Sequence, residues 1–174
     1  MSERRHVILV GLSGSGKSTV GQRVAEQLGA PLVDIDAVIV RQVQMPIARV
    51  IGERGESAFR ELERQAVRAA LAGPPSVVVP GGGWAAQPGQ IEVARTSALI
   101  VYLKTMAITA VKRLGADDSR PLLAGDDLLE RLREQLQIRE PFYSRADHAV
   151  VTDGRTLEAT AADVVALARA EAGW

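Results

Sequence analysis

Cysteine is absent from this chain of 174 residues. That excludes disulfides and thiolate metal sites, and it fits a reducing cytoplasm, the expected location. Net charge is absent as well, since 21 Lys and Arg offset 21 Asp and Glu. No overall field draws the chain to nucleic acid or to a membrane surface, and neither is expected as a partner. Any basic site must be local. Long apolar runs are also missing. The first run, His6-Val7-Ile8-Leu9-Val10, stops at Gly11, too short for a signal-peptide core or a membrane span. Aromatics are only 3%, so Phe59, Trp84, Phe142 and Tyr143 stand out as local features. What remains is 47% apolar and 24% charged, ordinary for a globular protein. The length suits one domain over residues 1–174 with a buried core.

Five short apolar runs recur, at 6–10, 32–35, 76–79, 98–103 and 148–152. They are rich in Val and Ile and nearly continuous, which predicts strands buried on both faces. Helical patterns lie between them, at 17–28, 56–72, 106–114, 127–139 and 157–170. Gly29 is placed to cap the first helix. Gly73-Pro74-Pro75 and Pro141 are placed to stop the second and fourth. Alternating strands and helices predict an α/β fold with a parallel sheet covered on both faces. Ligands of such sheets sit beyond the carboxyl ends of the strands.

The first strand runs into Gly11-Leu12-Ser13-Gly14-Ser15-Gly16-Lys17-Ser18-Thr19. Strand, glycine-rich loop and helix together give the phosphate-loop pattern G-x-x-x-x-G-K-[ST] in its proper context. Backbone N–H groups of such a loop form a concavity that suits an anion, and the helix N-terminus adds positive potential. Lys17 can reach the outer phosphates of a nucleotide, and Ser18 can ligate Mg²⁺.

The second strand ends in Asp34-Ile35-Asp36. Period-two alternation would put both carboxylates on one side. Beside a nucleotide, one could hold a metal-bound water and the other could take a proton from a hydroxyl; equally, Asp36 could simply cap the next helix. The third strand runs into Pro80-Gly81-Gly82-Gly83-Trp84. Three glycines there imply unusual backbone angles, or close approach by a substrate or a tight turn. The polar segment 113–123 joins two helices and carries Arg120. It could act as a lid that brings positive charge over a transferring phosphoryl group, or Arg120 could be plainly solvated. Arg60 and Arg139 could hold a carboxylate through planar guanidinium groups, or could form surface ion pairs with nearby glutamates.

Together these segments resemble the shikimate kinase family nearly end to end. The resemblance rests on the loop 11–19, Asp34-x-Asp36, Gly55-Glu56-x-x-Phe59-Arg60-x-x-Glu63, Gly81-Gly82-Gly83, Arg120-Pro121-Leu122-Leu123 and Arg139-x-Pro141-x-Tyr143, in order and spacing. It implies a three-layer P-loop kinase fold, a five-stranded parallel sheet in order 2-3-1-4-5, and a mobile lid over about 113–126. It also implies ATP-dependent phosphorylation of the shikimate 3-hydroxyl, with Mg²⁺ as cofactor and an acceptor region over about 34–63. By resemblance, Asp36 activates the acceptor hydroxyl and Asp34 lies near the Mg²⁺ water shell. Arg60 and Arg139 hold the acceptor carboxylate, and Gly81, Gly82 and Gly83 supply backbone donors. Arg120 meets the phosphates, while Arg113 and Arg155 lie where the adenine packs. A monomer is expected. Two positions and the segment Arg41-Gln42-Val43-Gln44-Met45-Pro46, in the acceptor region, depart from the family pattern. Pro80 stands where threonine is common, and Trp84 adds bulk expected near the acceptor side. A kinase for another hydroxy acid, such as a gluconate-type sugar acid, and a non-catalytic domain of the same fold are the alternative readings.

Overall fold

The structure is a computed structural model that describes residues 3–115 and 125–174. Five strands, β1 (His6–Val10), β2 (Leu32–Asp34), β3 (Val77–Val79), β4 (Ala98–Lys104) and β5 (His148–Val151), form one sheet. Its order is β2-β3-β1-β4-β5, and every pairing is parallel. β1 lies at the centre, with Val7 opposite Val77 on one side and Leu99 on the other.

Alternate residues of the central strands feed two separate cores, as the pleat requires. Ile8, Val10, Val78, Ile100 and Tyr102 face one layer, with Ile35, Ile39, Phe59, Val67 and Tyr143 packed over them. Val7, Leu9, Val77, Val79, Leu99 and Val101 face the other, beneath Val20, Val24, Val164 and Val165. This double burial explains why the strands read as unbroken Val and Ile runs.

The helices are α1 (Lys17–Leu28), α2 (Ile35–Val43), α3 (Ile47–Arg54), α4 (Glu56–Leu71), α5 (Gln90–Ala94), α6 (Ala107–Gly115), α7 (Gly125–Tyr143) and α8 (Leu157–Glu171). Gly29 caps α1 as anticipated, in the left-handed conformation at φ 62°, its N–H directed to Ala25 and Glu26 carbonyls. Three helices, α2, α3 and α5, lie outside the five helical patterns of the sequence. β2 ends at Asp34, and Ile35 already belongs to α2, so the expected strand over 32–35 is one residue too long. Asp34, not Asp36, is the cap of α2, its Oδ1 accepting from the Ala37 N–H at 3.2 Å. α7 also differs from expectation. Pro141 does not stop it, and the helix continues to Tyr143, whose buried ring anchors the last turn in the core.

Trp84 is a further correction. It is 1% exposed and sits in the first core layer rather than on the acceptor side. No helix among the described residues is long and apolar enough to cross a membrane.

Candidate active site

The loop after β1 opens at the carboxyl end of the sheet. Gly14 adopts φ 82°, and a Cβ there would meet the Ala110 carbonyl oxygen at 2.7 Å. Only glycine satisfies both the backbone angle and the close approach of α6. Lys17, the first residue of α1, is buried and folds back over the loop. Its Nζ donates to the Gly11 carbonyl at 2.7 Å and to the Leu12 carbonyl at 3.0 Å. The ammonium is thus held inside the ring of loop backbone where phosphate oxygens would compete for its protons.

A cavity of about 610 Å³ lies in front of this loop. Lys17, Ser18, Thr19, Gly14 and Gly16 line it together with Asp34, Asp36, Gly81 and Gly82, and Gly82 lies against the loop itself, where a Cβ would be 3.2 Å from the Gly11 carbonyl oxygen. The two carboxylates do share a side, but not by strand alternation: one ends β2 and the other occupies the first turn of α2. The loop and both carboxylates therefore come together as the sequence suggested.

Behind the glycine triplet stand the two arginines. A Cβ on Gly83 would lie 2.3 Å from Arg60 Nη2, and one on Gly82 would lie 3.2 Å from Arg139 Nη1. Backbone this close to guanidinium groups explains the glycines at 82 and 83 as demands of packing. Arg60 pairs with the exposed Glu56 at 3.3 Å, but its shorter bond runs inward. Its side chain is 19% exposed, and Nη1 donates at 2.9 Å to Glu63, which is fully buried. Arg139 Nη1 makes a long contact of 3.4 Å to Gln135. Below it, the Tyr143 hydroxyl donates to the Gly82 carbonyl at 2.5 Å.

Glu63 is the residue whose role the sequence concealed. It receives Arg60 and also the Gln87 amide at 3.1 Å, and its Oε2 lies against Gly81. Burial pushes its carboxyl above the usual range, with the Asp36 charge acting the same way; the hydrogen bond and charge of Arg60 oppose them. The signal was present as the Arg60–Glu63 spacing of three, but spacing does not reveal burial.

On the other side of the phosphate loop, a second cavity of about 210 Å³ is lined by Ser15, Gly16, Arg113, Thr152 and Arg155. Arg113 closes one wall. It donates to the Ser15 carbonyl at 3.1 Å and to the Thr152 hydroxyl and carbonyl at 3.0 and 3.1 Å. Arg155 is turned toward α8, paired with Asp163 at 2.5 Å. Arg120 and most of the expected lid lie outside the described residues.

A parallel sheet in this order, with a phosphate loop after its central strand and carboxylates facing that loop, defines a P-loop phosphoryl-transfer protein. The family model for shikimate kinase matches residues 13–169. The chain belongs to the shikimate kinase family. It is 43% identical over 148 residues to a shikimate kinase of Mycobacterium marinum, covering 85% of this chain and 80% of that one. With the enzyme of Moorella thermoacetica it shares 35% identity over 159 residues, 91% of each chain. Among solved structures, a shikimate kinase from Acinetobacter baumannii in complex with shikimate superposes with a TM-score of 0.87 at 30% identity. That match covers 96% of this chain and 94% of the other.

Proposed function

We propose that the protein transfers the γ-phosphoryl group of ATP to the 3-hydroxyl of shikimate, giving shikimate 3-phosphate and ADP. The observation that carries this reading is one cavity lined by the phosphate loop, Asp36, Gly81 and Gly82, with Arg139 close against Gly82 and Arg60 close against Gly83. Phosphoryl transfer asks a protein mainly for alignment and charge compensation, and these residues supply both. In our reading Lys17 exchanges its loop carbonyls for phosphate oxygens. Asp36 accepts the proton of the acceptor hydroxyl as its oxygen bonds to phosphorus and the bond to the ADP oxygen breaks. Arg60 and Arg139 hold the acceptor carboxylate, where two fixed cations match one small anion. Backbone donors of Gly81, Gly82 and Gly83 orient the ring, and Arg120 adds charge over the transferring group.

The donor set fits Mg²⁺, which keeps most of its waters and takes few protein ligands beside phosphate. Ser18 would hold it directly and Asp34 through water, since both line the nucleotide cavity. When bound, the ion would neutralise charge on the phosphates. Arg113 and Arg155 border the second cavity, which we assign to the adenine. One domain over residues 1–174, with an acceptor region over 34–63 and a lid over 113–126, completes the reading. A monomer is part of the same reading, and a cytoplasmic setting fits an ATP-consuming reaction.

The test is the position of the new phosphate. Phosphorus and proton NMR of the product from Mg-ATP and shikimate should show a monoester at the 3-oxygen. A phosphate at another oxygen, or no phosphorylated shikimate at all, overturns the assignment.

A further inference from the structure

α7 is weakened where Arg139 sits. Pro141 lies inside the helix; it has no N–H for the Gln137 carbonyl, and its ring crowds the preceding turn. Two phenols brace that turn. Tyr102 of β4 donates to the Glu140 carboxylate, and Tyr143 donates to the Gly82 carbonyl. Their rings meet at 5.1 Å between centroids, and both residues are buried. Glu140 also faces Lys104 at 3.6 Å. Tyr102 pairs in register with Val10, the residue before the phosphate loop. One side chain thus ties β4, the backbone neighbour of the strand that leads into the phosphate loop, to the helix turn that carries Arg139.

We propose that Tyr102 is a positioning residue: its hydroxyl, acting through Glu140, fixes Arg139 against the Gly82 backbone and so sets the grip on the acceptor carboxylate. This rests on the reading of Arg139 as a carboxylate ligand. Burial, with the Glu140 carboxylate beside it, pushes the Tyr102 phenol far above its ordinary range. The hydroxyl therefore remains a donor across the working pH range.

The test is a double-mutant cycle of Tyr102→Phe and Arg139→Ala, read as KM for shikimate, KM for ATP and kcat. Tyr102→Phe keeps the ring and removes one hydrogen bond. It should raise the shikimate KM about 3- to 10-fold, the scale of one ordinary intramolecular hydrogen bond. Both kcat and the ATP KM should stay within about twofold. In the Arg139→Ala background the same change should add less than about twofold, because its effect runs through Arg139. An equal effect in both backgrounds, or an ATP KM that rises in step, overturns the inference and marks the bond as merely structural. An unchanged shikimate KM in Arg139→Ala overturns the reading of Arg139, and this inference with it. Should Tyr102→Phe fail to fold, Glu140→Ala, on the more exposed end of the same bond, carries the same cycle with the same expected coupling.

Discussion

Arg60 donates to a glutamate, Glu63, whose side chain has no exposed surface, at 2.9 Å. A buried carboxylate beneath a guanidinium does two things. It holds the cation in place, and it leaves an anion that is costly to desolvate. Asp36 nearby raises that cost.

The pH dependence of stability follows from that carboxyl. Its folded pKa lies above the ordinary range of a glutamate. Its contribution is therefore fully present below that range and is lost as pH rises through the folded pKa. Glu63→Gln removes the titration. Thermal melts from about pH 4 to about pH 8 should show the variant gaining on the native protein as pH rises. A difference that stays flat, or moves the other way, would mean Glu63 is ionised without strain.

Gly83 carries the closest approach in the site. A Cβ there would sit 2.3 Å from the Arg60 guanidinium. The colliding atoms belong to a long side chain, so Gly83→Ala should fold and displace Arg60 rather than unfold the loop. The shikimate KM should rise by roughly tenfold or more, the loss expected when a charged hydrogen-bonding partner is moved, with the ATP KM little changed. Steady-state kinetics in both substrates checks this.

Trp84 tests the opposite expectation. It lies in the core, and its indole Nε1 has no hydrogen-bond partner among the described residues. Trp84→Phe loses some packing but also removes a buried donor worth about 1–3 kcal/mol when unsatisfied. The two effects offset, so the melting temperature should move only slightly and the shikimate KM should stay within about twofold. A large KM change would return Trp84 to the acceptor side.

The phosphate loop, the five strands and their alternation with helices were legible in the residues because each carries a local signature. Val77, Val78 and Val79 are buried on both faces, and such runs announce themselves. The missed helices lack that clarity. α2 starts directly at the end of β2, with no linker to mark the change. α3 follows Pro46 and contains Gly52. Pro141 misled because tertiary anchoring by Tyr143 outweighs the local cost of a helical proline. Asp34 and Asp36 were recognised as a pair, but the cap role belongs to the other member. Glu63 stayed hidden because its partner spacing is that of any exposed helix pair, and only the packing of Gly81 over it shows burial.

Asp36 lines the same cavity as Lys17 and Ser18. Asp36→Asn keeps the shape and removes the proton acceptor. We expect kcat to fall by about 100-fold or more, the scale of a positioned general base, with ATP affinity nearly unchanged. Turnover that survives almost intact would remove Asp36 from the chemistry.

The most direct measurement is acceptor-dependent ADP release from Mg-ATP, with shikimate, quinate, gluconate and a nucleoside monophosphate compared at equal millimolar concentration. The site predicts rapid release with shikimate and little with gluconate or the nucleoside monophosphate, because neither combines the carboxylate that Arg60 and Arg139 would hold with a ring hydroxyl for Asp36; quinate, which carries both, reports how closely the ring is gripped. Equal or faster release with gluconate, or no shikimate-dependent release at all, would contradict it.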